Sequence, residues 1–139
     1  MLRRRAKKII SEYIAHYGPD RYGRIGWPAE AEGLDVLGVD ARMRELLREV
    51  ESRSALDETK AAHYLREAAA VVEFIAAEIS RIMAEIDAKH GQVFRTAAII
   101  SGEDYSAYMR LLMERQHLQE ARRSSSGLRS LARKFDRRR

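Results

Sequence analysis

Hydrophobic residues recur every three or four positions through most of the chain, and short polar or glycine-containing segments separate the stretches that keep this spacing. The spacing is typical of amphipathic helices, whose apolar side chains share one face. It predicts helices over residues 2–17, 41–53, 55–90 and 102–123. The sequence therefore predicts an all-α fold, a small antiparallel helical bundle built around one long central helix at about 55–90.

The ends of the predicted helices carry start and stop signals. Gly18 ends the first helix, and a loop is predicted over residues 18–39. Asp40 is the predicted N-cap of the second helix, and Ser54 is the predicted N-cap of the long third helix. Gly91 follows the long helix as its predicted C-terminal glycine.

The long helix carries the most regular apolar pattern in the chain. Seven residues follow an alternating spacing of three and four: Leu65, Ala68, Val72, Ile75, Ile79, Ile82 and Ile86. This is the spacing of a coiled-coil seam. Because the short helices can cover only part of this seam, the sequence predicts self-association or contact with other protein subunits through residues 65–86.

The C-terminal segment is predicted to be separate from the bundle. Residues 124–127 read Ser-Ser-Ser-Gly and predict a flexible linker between a bundle domain at 1–123 and a basic arm at 124–139. Leu128, Leu131, Ala132 and Phe135 would share one face of a short helix in that arm. So short a helix is marginal in water, so residues 128–135 must dock on the bundle or on another subunit.

Composition excludes several classes of protein. The chain has 139 residues, enough for one domain, and no cysteine, which excludes disulfides and thiolate chemistry. Its longest low-charge run, residues 68–77, contains Glu73 and is too short to span a membrane. The basic N-terminus has no apolar stretch behind it, unlike a signal peptide. The expected location is the cytoplasm, or a particle assembled there, with no membrane contact.

Charge is strongly segregated along the chain. Residues 1–24 carry seven basic and two acidic side chains, a net charge of +5. Residues 115–139 carry nine basic and two acidic side chains, a net charge of +7. The middle, residues 25–114, carries ten basic and 17 acidic side chains, a net charge of −7. Two basic ends predict a partner of dense negative charge, for which nucleic-acid phosphate is the leading candidate. The predicted phosphate-contacting residues are Arg3, Arg4, Arg5, Lys7, Lys8, Arg21, Tyr22, Arg24, Arg122, Arg123, Arg129, Arg133, Lys134, Arg137, Arg138 and Arg139.

The loop after the first helix mixes aromatic and basic residues. Tyr22 lies between Arg21 and Arg24, and Trp27 follows closely. Aromatic faces stack on bases while arginine neutralises phosphate, as on single-strand-binding surfaces. The alternative, favoured for Trp27, is that the ring folds back and caps the bundle core.

No established catalytic motif is present. The sequence has no phosphate loop of the Walker type, no G-x-S-x-G and no H-E-x-x-H. Glu114 and His117 form one Glu-x-x-His, which a dimer could double into a di-metal carboxylate bundle with Glu73 or Glu78. A solvated Glu–His pair is the favoured interpretation. No catalytic residue, metal or cofactor is therefore predicted.

These observations predict a non-catalytic nucleic-acid-binding helical subunit of a larger nucleoprotein or particle assembly, with DNA and RNA both possible. The alternative is a structural protein whose basic ends pair with acidic faces of neighbouring subunits. The chain is similar in fold class and charge to phage head components and to small helical subunits of RNA-guided defence complexes, a likeness at the level of analogy.

Overall fold

The computed structural model describes residues 2–18, 34–52, 55–90 and 102–137. These residues form four helices: α1 (Leu2–Tyr17), α2 (Val36–Glu51), α3 (Glu58–His90) and α4 (Gly102–Arg137). The prediction of an all-α fold with one long helix near 55–90 is confirmed. The predicted loop residues 19–33 lie outside the described part of the chain.

Helix α2 begins five residues before the predicted start because its N-cap is Asp35 and not Asp40. Oδ1 of Asp35 accepts a hydrogen bond of 3.0 Å from the backbone N–H of Gly38. A Cβ atom at position 38 would overlap Oδ2 of Asp35, so a larger residue there would displace the capping carboxylate. Asp40 lies inside the helix and accepts a hydrogen bond from Arg44.

Helix α3 begins with Asp57 as its capping residue. The carboxylate of Asp57 accepts from the backbone N–H of Lys60 at 3.1 Å, and its carbonyl accepts from Ala61 at 2.9 Å. The first bond satisfies an N–H group that a helix start otherwise leaves unpaired, and the second is the first backbone bond of the helix. Ser54, the predicted cap, lies outside the described residues.

The prediction of a flexible linker at 124–127 is wrong, because α4 is one continuous helix from Gly102 to Arg137. The buried stripe continues across this segment, with Ala121 and Leu128 each 1% exposed on either side of it. Serine and glycine are weak helix formers, but tertiary packing of an amphipathic face overrides such local preferences. Residues 124–137 are therefore part of the helical core and not a tethered arm.

The chain divides into two compact units, which α3 and α4 both enter. Unit 1 contains α1, α2, α3 up to Val72 and α4 from Arg123. Unit 2 contains α3 from Glu73 and α4 up to Arg122.

Unit 1 has a core built from all four helices. Its largest fully buried side chains include Tyr13 on α1, Met43 on α2, Leu65 on α3 and Phe135 on α4. Helix α1 packs against α2. The hydroxyl of Tyr17 also lies 3.3 Å from that of Ser124, which joins the end of α1 to α4. The predicted apolar face of the C-terminal segment is thus docked on its own chain.

Unit 2 is a pair of packed helices. Ile86 of α3 packs against Ala107 and Leu111 of α4, with Ile82, Met83 and Tyr108 around them. Of the predicted seam at 65–86, all residues are buried within the chain except Ile82, which is half-buried. Four apolar side chains of this unit are instead exposed, by 36–56%: Tyr105, Met109, Leu112 and Met113.

Among the helices in the described ranges, none combines the length and the apolar character that crossing a membrane would require.

Gly127→Ala tests the continuity of α4. No atom lies within 4 Å of a Cβ placed at position 127, so alanine fits there without a clash. Because glycine in a helix interior costs about 0.5–1 kcal/mol relative to alanine, we expect the free energy of unfolding to rise by that amount in urea denaturation. In Gly38→Ala the new Cβ would overlap the Asp35 carboxylate, so we expect this variant to lower the free energy of unfolding. A linker at 124–127 would leave Gly127→Ala without effect.

Phe135→Ala tests the docking of the end of α4. Its side chain is 1% exposed, so truncation leaves a cavity in unit 1, and we expect a loss of about 3–5 kcal/mol in the free energy of unfolding. Met113→Ala, at a side chain 56% exposed on the same helix, is the control and should change stability by less than about 0.5 kcal/mol. Equal effects of the two substitutions would contradict the docked arrangement.

Candidate nucleic-acid interface

The C-terminal part of α4 carries a row of basic side chains opposite its buried stripe. At about 100° per residue, Leu128, Leu131, Ala132 and Phe135 point to one side of the helix. The other side carries six basic residues, here named the α4 cationic face: Arg122, Arg123, Arg129, Arg133, Lys134 and Arg137. This face extends over about 22 Å of helix.

The α4 cationic face has two flanks with small residues between them. Arg122, Arg129 and Arg133 fall within about 40° of one another on a helical wheel. Arg123 and Lys134 fall about 100° away on the other flank. Ser126, Ser130 and Arg137 lie between the flanks, and we name the two serines, one turn apart, the serine crest.

Four of the six cations of this face have no ion-pair partner among the described residues. Arg123, Arg133, Lys134 and Arg137 make no ion pair or hydrogen bond within the described part of the chain. The one acidic residue in this stretch, Asp136, is bound to Arg66 at 2.6 Å. Residues 122–137 carry six basic side chains and one acidic side chain, a net charge of +5. Residues 102–121 carry two basic and four acidic side chains, a net charge of −2.

A second group of cations lies on the first turns of α1. Arg4, Arg5, Lys7 and Lys8 are exposed, and none has an ion-pair partner among the described residues. The first turn of α1 has no acidic residue, so these cations add to the positive end of the helix dipole. The result is a region of unit 1 that favours anions.

Arg3 differs from the other basic residues of α1. Its guanidinium donates to the backbone carbonyls of Val50 at 3.1 Å and Ser52 at 2.6 Å. These carbonyls lie at the C-terminus of α2, where a cation is favoured by the dipole and by the unpaired acceptors. Arg3 therefore ties α1 to α2, a role that its place in a basic run does not reveal.

Several cations elsewhere in unit 1, among them Lys60 and Arg42, are held in ion pairs. Lys60 contacts the carboxylates of Glu45 at 2.9 Å and Glu49 at 2.6 Å, and these hydrogen bonds raise its pKa. Arg42 makes two bonds of 2.9 Å to Glu67. Glu45, Glu49 and Glu67 therefore each bind a cation of a neighbouring helix.

Unit 2 shows the same pairing along one helix, where Arg81 bridges Glu78 at 2.7 Å and Glu85 at 2.5 Å. Lys89, Arg110 and Arg115 are exposed and have no such partner within the described ranges. They are separated along two helices whose segments here are net acidic, so they do not form a cationic face.

Several predicted site residues are not described by the structure. Arg21, Tyr22, Arg24 and Trp27 lie in the 19–33 segment, and Arg138 and Arg139 follow the last described residue. Their predicted roles remain predictions.

The Glu-x-x-His pair is not part of a metal-ligand cluster in the described residues. His117 is exposed and Glu114 half-buried on α4, and Glu73 is exposed on α3. No group of three or more His, Asp or Glu side chains able to hold a metal ion occurs within the described ranges.

The serine crest was missed by sequence reasoning because residues 124–127 resemble a linker. The signal was nevertheless present, since extending the helical wheel of 102–123 to residue 137 places all six cations on one side and the apolar residues on the other.

Comparison of the chain with models of protein families, with curated proteins and with solved structures finds no match. Function is therefore inferred from the charge and geometry described above.

Low pH is expected to destabilise unit 1, because it protonates a carboxylate that binds Lys60. Hydrogen bonding to the Lys60 ammonium holds the pKa of the Glu45 carboxyl below its usual value. A carboxylate with a lowered pKa adds stability above its unfolded pKa, and that stability is lost as the pH falls through the folded pKa. We expect urea midpoints to fall between about pH 5 and pH 2, and Lys60→Met to reduce this dependence. Lys89→Met is the control, and equal pH profiles for the two variants would contradict the prediction.

Proposed function

We propose that this chain is a non-catalytic nucleic-acid-binding protein that acts as a subunit of a larger nucleoprotein or particle assembly. In this proposal the α4 cationic face and the first turns of α1 contact phosphate. The observation that carries the proposal is the contrast in pairing within unit 1. Eight exposed or half-exposed cations of α1 and α4 have no partner within the described residues, whereas Lys60, Arg42 and Arg66 are paired.

Unpaired cations at such density repel one another, and that repulsion lowers the stability of the folded state. A phosphate backbone would remove the repulsion and would also release its own condensed counterions. Phosphates follow one another at about 3.4 Å along each strand, so a face about 22 Å long matches roughly six of them. Arginine, which supplies five of the six cations of the α4 face, binds phosphate through two parallel N–H groups.

In the assembly alternative, these cations pair with acidic faces of neighbouring subunits. Such pairing needs carboxylates that are available to a neighbour. Glu45, Glu49 and Glu67 are already bound to Lys60 or Arg42, and Glu78 and Glu85 to Arg81. Glu51, Asp87 and Glu120, by contrast, are exposed and have no ion pair among the described residues, so a neighbouring subunit could use these carboxylates without displacing an internal pair.

The proposal is tested by removing charge from the α4 cationic face. The variant carries Arg133→Gln, Lys134→Gln and Arg137→Gln, and binding to a labelled 20-base-pair DNA duplex and to its single strand is followed by fluorescence anisotropy. We expect at least about tenfold weaker binding at 100 mM salt, and a slope of log affinity against log salt that is shallower by roughly two to three, since each lost phosphate contact removes about 0.7–0.9.

The matched control is Lys89→Gln, Arg110→Gln and Arg115→Gln, which removes the same net charge from exposed positions of unit 2. It should keep most of the affinity and the original slope. If the two triple variants weaken binding equally, net charge and not the α4 cationic face determines affinity. If the unaltered protein binds neither DNA nor RNA at low salt, the proposed function is wrong.

A further inference from the structure

We propose that a second copy of this chain covers an exposed apolar face of α4 in unit 2, with the two α4 helices parallel and in register. This face, here named the α4 apolar face, consists of Tyr105, Met109, Leu112 and Met113. The inference goes beyond the proposed function and does not depend on nucleic-acid binding.

The α4 apolar face lies on the side of the helix away from α3. At about 100° per residue, its four side chains centre nearly opposite the buried stripe of Ala107, Leu111 and Leu118. Ala107 and Leu111 pack against Ile86 of α3. A second helix on the exposed side would therefore not have to displace α3. Helix α4 thus presents a second apolar side when its first is already covered.

The composition and the size of the α4 apolar face suit a weak contact between proteins. Tyrosine and methionine are enriched at such interfaces. The four side chains are exposed by 36–56%, which is roughly 400 Å² in all when a large side chain has about 150–250 Å² of surface. Two copies would bury about 800 Å² through these side chains, and polar neighbours bring the total toward the roughly 1,200 Å² of a small specific interface. This area predicts a reversible dimer and not a permanent one.

The spacing of the face fits a two-stranded coiled coil. Tyr105, Met109 and Leu112 are separated by four and three residues, the alternation of the core positions of a heptad, and Gln116 continues it. Tyr105 and Leu112 then occupy d positions, and Met109 and Gln116 occupy a positions. Met113 lies beside this row at an e position. A polar side chain at a core position helps to fix the register of two such helices.

Charge beside the apolar row favours the parallel arrangement. Arg115 at a g position and Glu120 at an e position are both exposed, and neither has an ion pair within the described part of the chain. In a parallel pair in register, a g residue faces the e residue five positions later on the other helix, so Arg115 meets Glu120 of the second copy. An antiparallel pair would instead bring g positions together, and Arg115 would face Arg115 or Arg122 of the second copy.

The face is complementary to itself, which is why we assign it to a second copy of the chain. Arg115 and Glu120 both belong to this one surface of unit 2, so a two-fold axis between the helices forms the Arg115–Glu120 contact twice. A symmetric dimer requires one patch that carries both halves of each contact. The α4 apolar face with its flanking charges meets that requirement.

The first test follows self-association of the full chain by sedimentation equilibrium without nucleic acid, from about 1 to 500 μM. We expect a monomer–dimer equilibrium with a Kd of about 10–100 μM, so the chain is mostly monomeric at a few micromolar. The double variant Met109→Gln, Met113→Gln should raise this Kd at least about tenfold, because it removes apolar contact and keeps good helix formers.

Leu37→Gln, at a leucine 55% exposed in unit 1, is the matched control and should leave the Kd unchanged. A chain that stays monomeric over the whole range would overturn the inference, and so would equal weakening by the double variant and the control. Because no nucleic acid is present, either result would leave the proposed function standing.

The second test exchanges the flanking charges. Arg115→Glu places glutamates opposite Glu120, and Glu120→Arg places arginines opposite Arg115, so we expect each variant alone to dimerise at least about fivefold more weakly. An equimolar mixture of the two should associate as tightly as the unaltered chain, because every mixed pair has opposite charges at both contacts. Arg110→Glu, at an exposed arginine of α4 outside the face, is the control and should dimerise normally. If the mixture associates no better than either variant alone, the parallel pairing is wrong and the inference fails.

Discussion

The arrangement of charge in unit 1 depends on the burial of one apolar stripe at the end of α4. Leu128, Leu131, Ala132 and Phe135 are each at most 1% exposed, and no other orientation of this helix would remove them from water together. Burying them also holds the three serines and the glycine of 124–127 in a helix, against their local preference. Because cations occupy the opposite side, the same packing turns them outward as one face. The hydrophobic core thus sets the geometry of a charged surface that it does not touch.

The distribution of acidic residues strengthens that effect. Carboxylates of α2 and α3 are placed where cations of neighbouring turns or helices reach them, as between Glu67 and Arg42. Asp136, the one acidic residue of 122–137, forms an ion pair with Arg66. Internal pairing therefore neutralises several carboxylates of α2 and α3, whereas eight cations of α1 and α4 have no partner among the described residues. A net charge of +5 for the whole chain understates the local potential at these ends.

Much of this could be predicted from particular residues. The seven-residue seam from Leu65 to Ile86 predicted both the long helix and its buried side, because a sustained spacing of three and four suits only a helix with one covered face. Capping was harder to predict. Asp40 and Asp35 both precede apolar runs, and the choice of Asp35 depends on the contact with Gly38, which allows the helix to start earlier. The hydrogen-bond acceptors of Arg3 were not predictable, because they are backbone carbonyls about fifty residues away in the sequence.

The sequence by itself determined the helical class, the segregation of charge and the apolar positions that had to be covered, since these follow from residue type and local spacing. Only the tertiary structure decided that Ser124–Gly127 continues α4, that the seam is covered within the chain, and which cations are paired. Those features depend on contacts between segments distant in sequence, where a few kilocalories per mole of packing outweigh the weaker preferences of single residues. The serine crest belongs to the second group, because it exists only when that continuous helix is held with its apolar side inward.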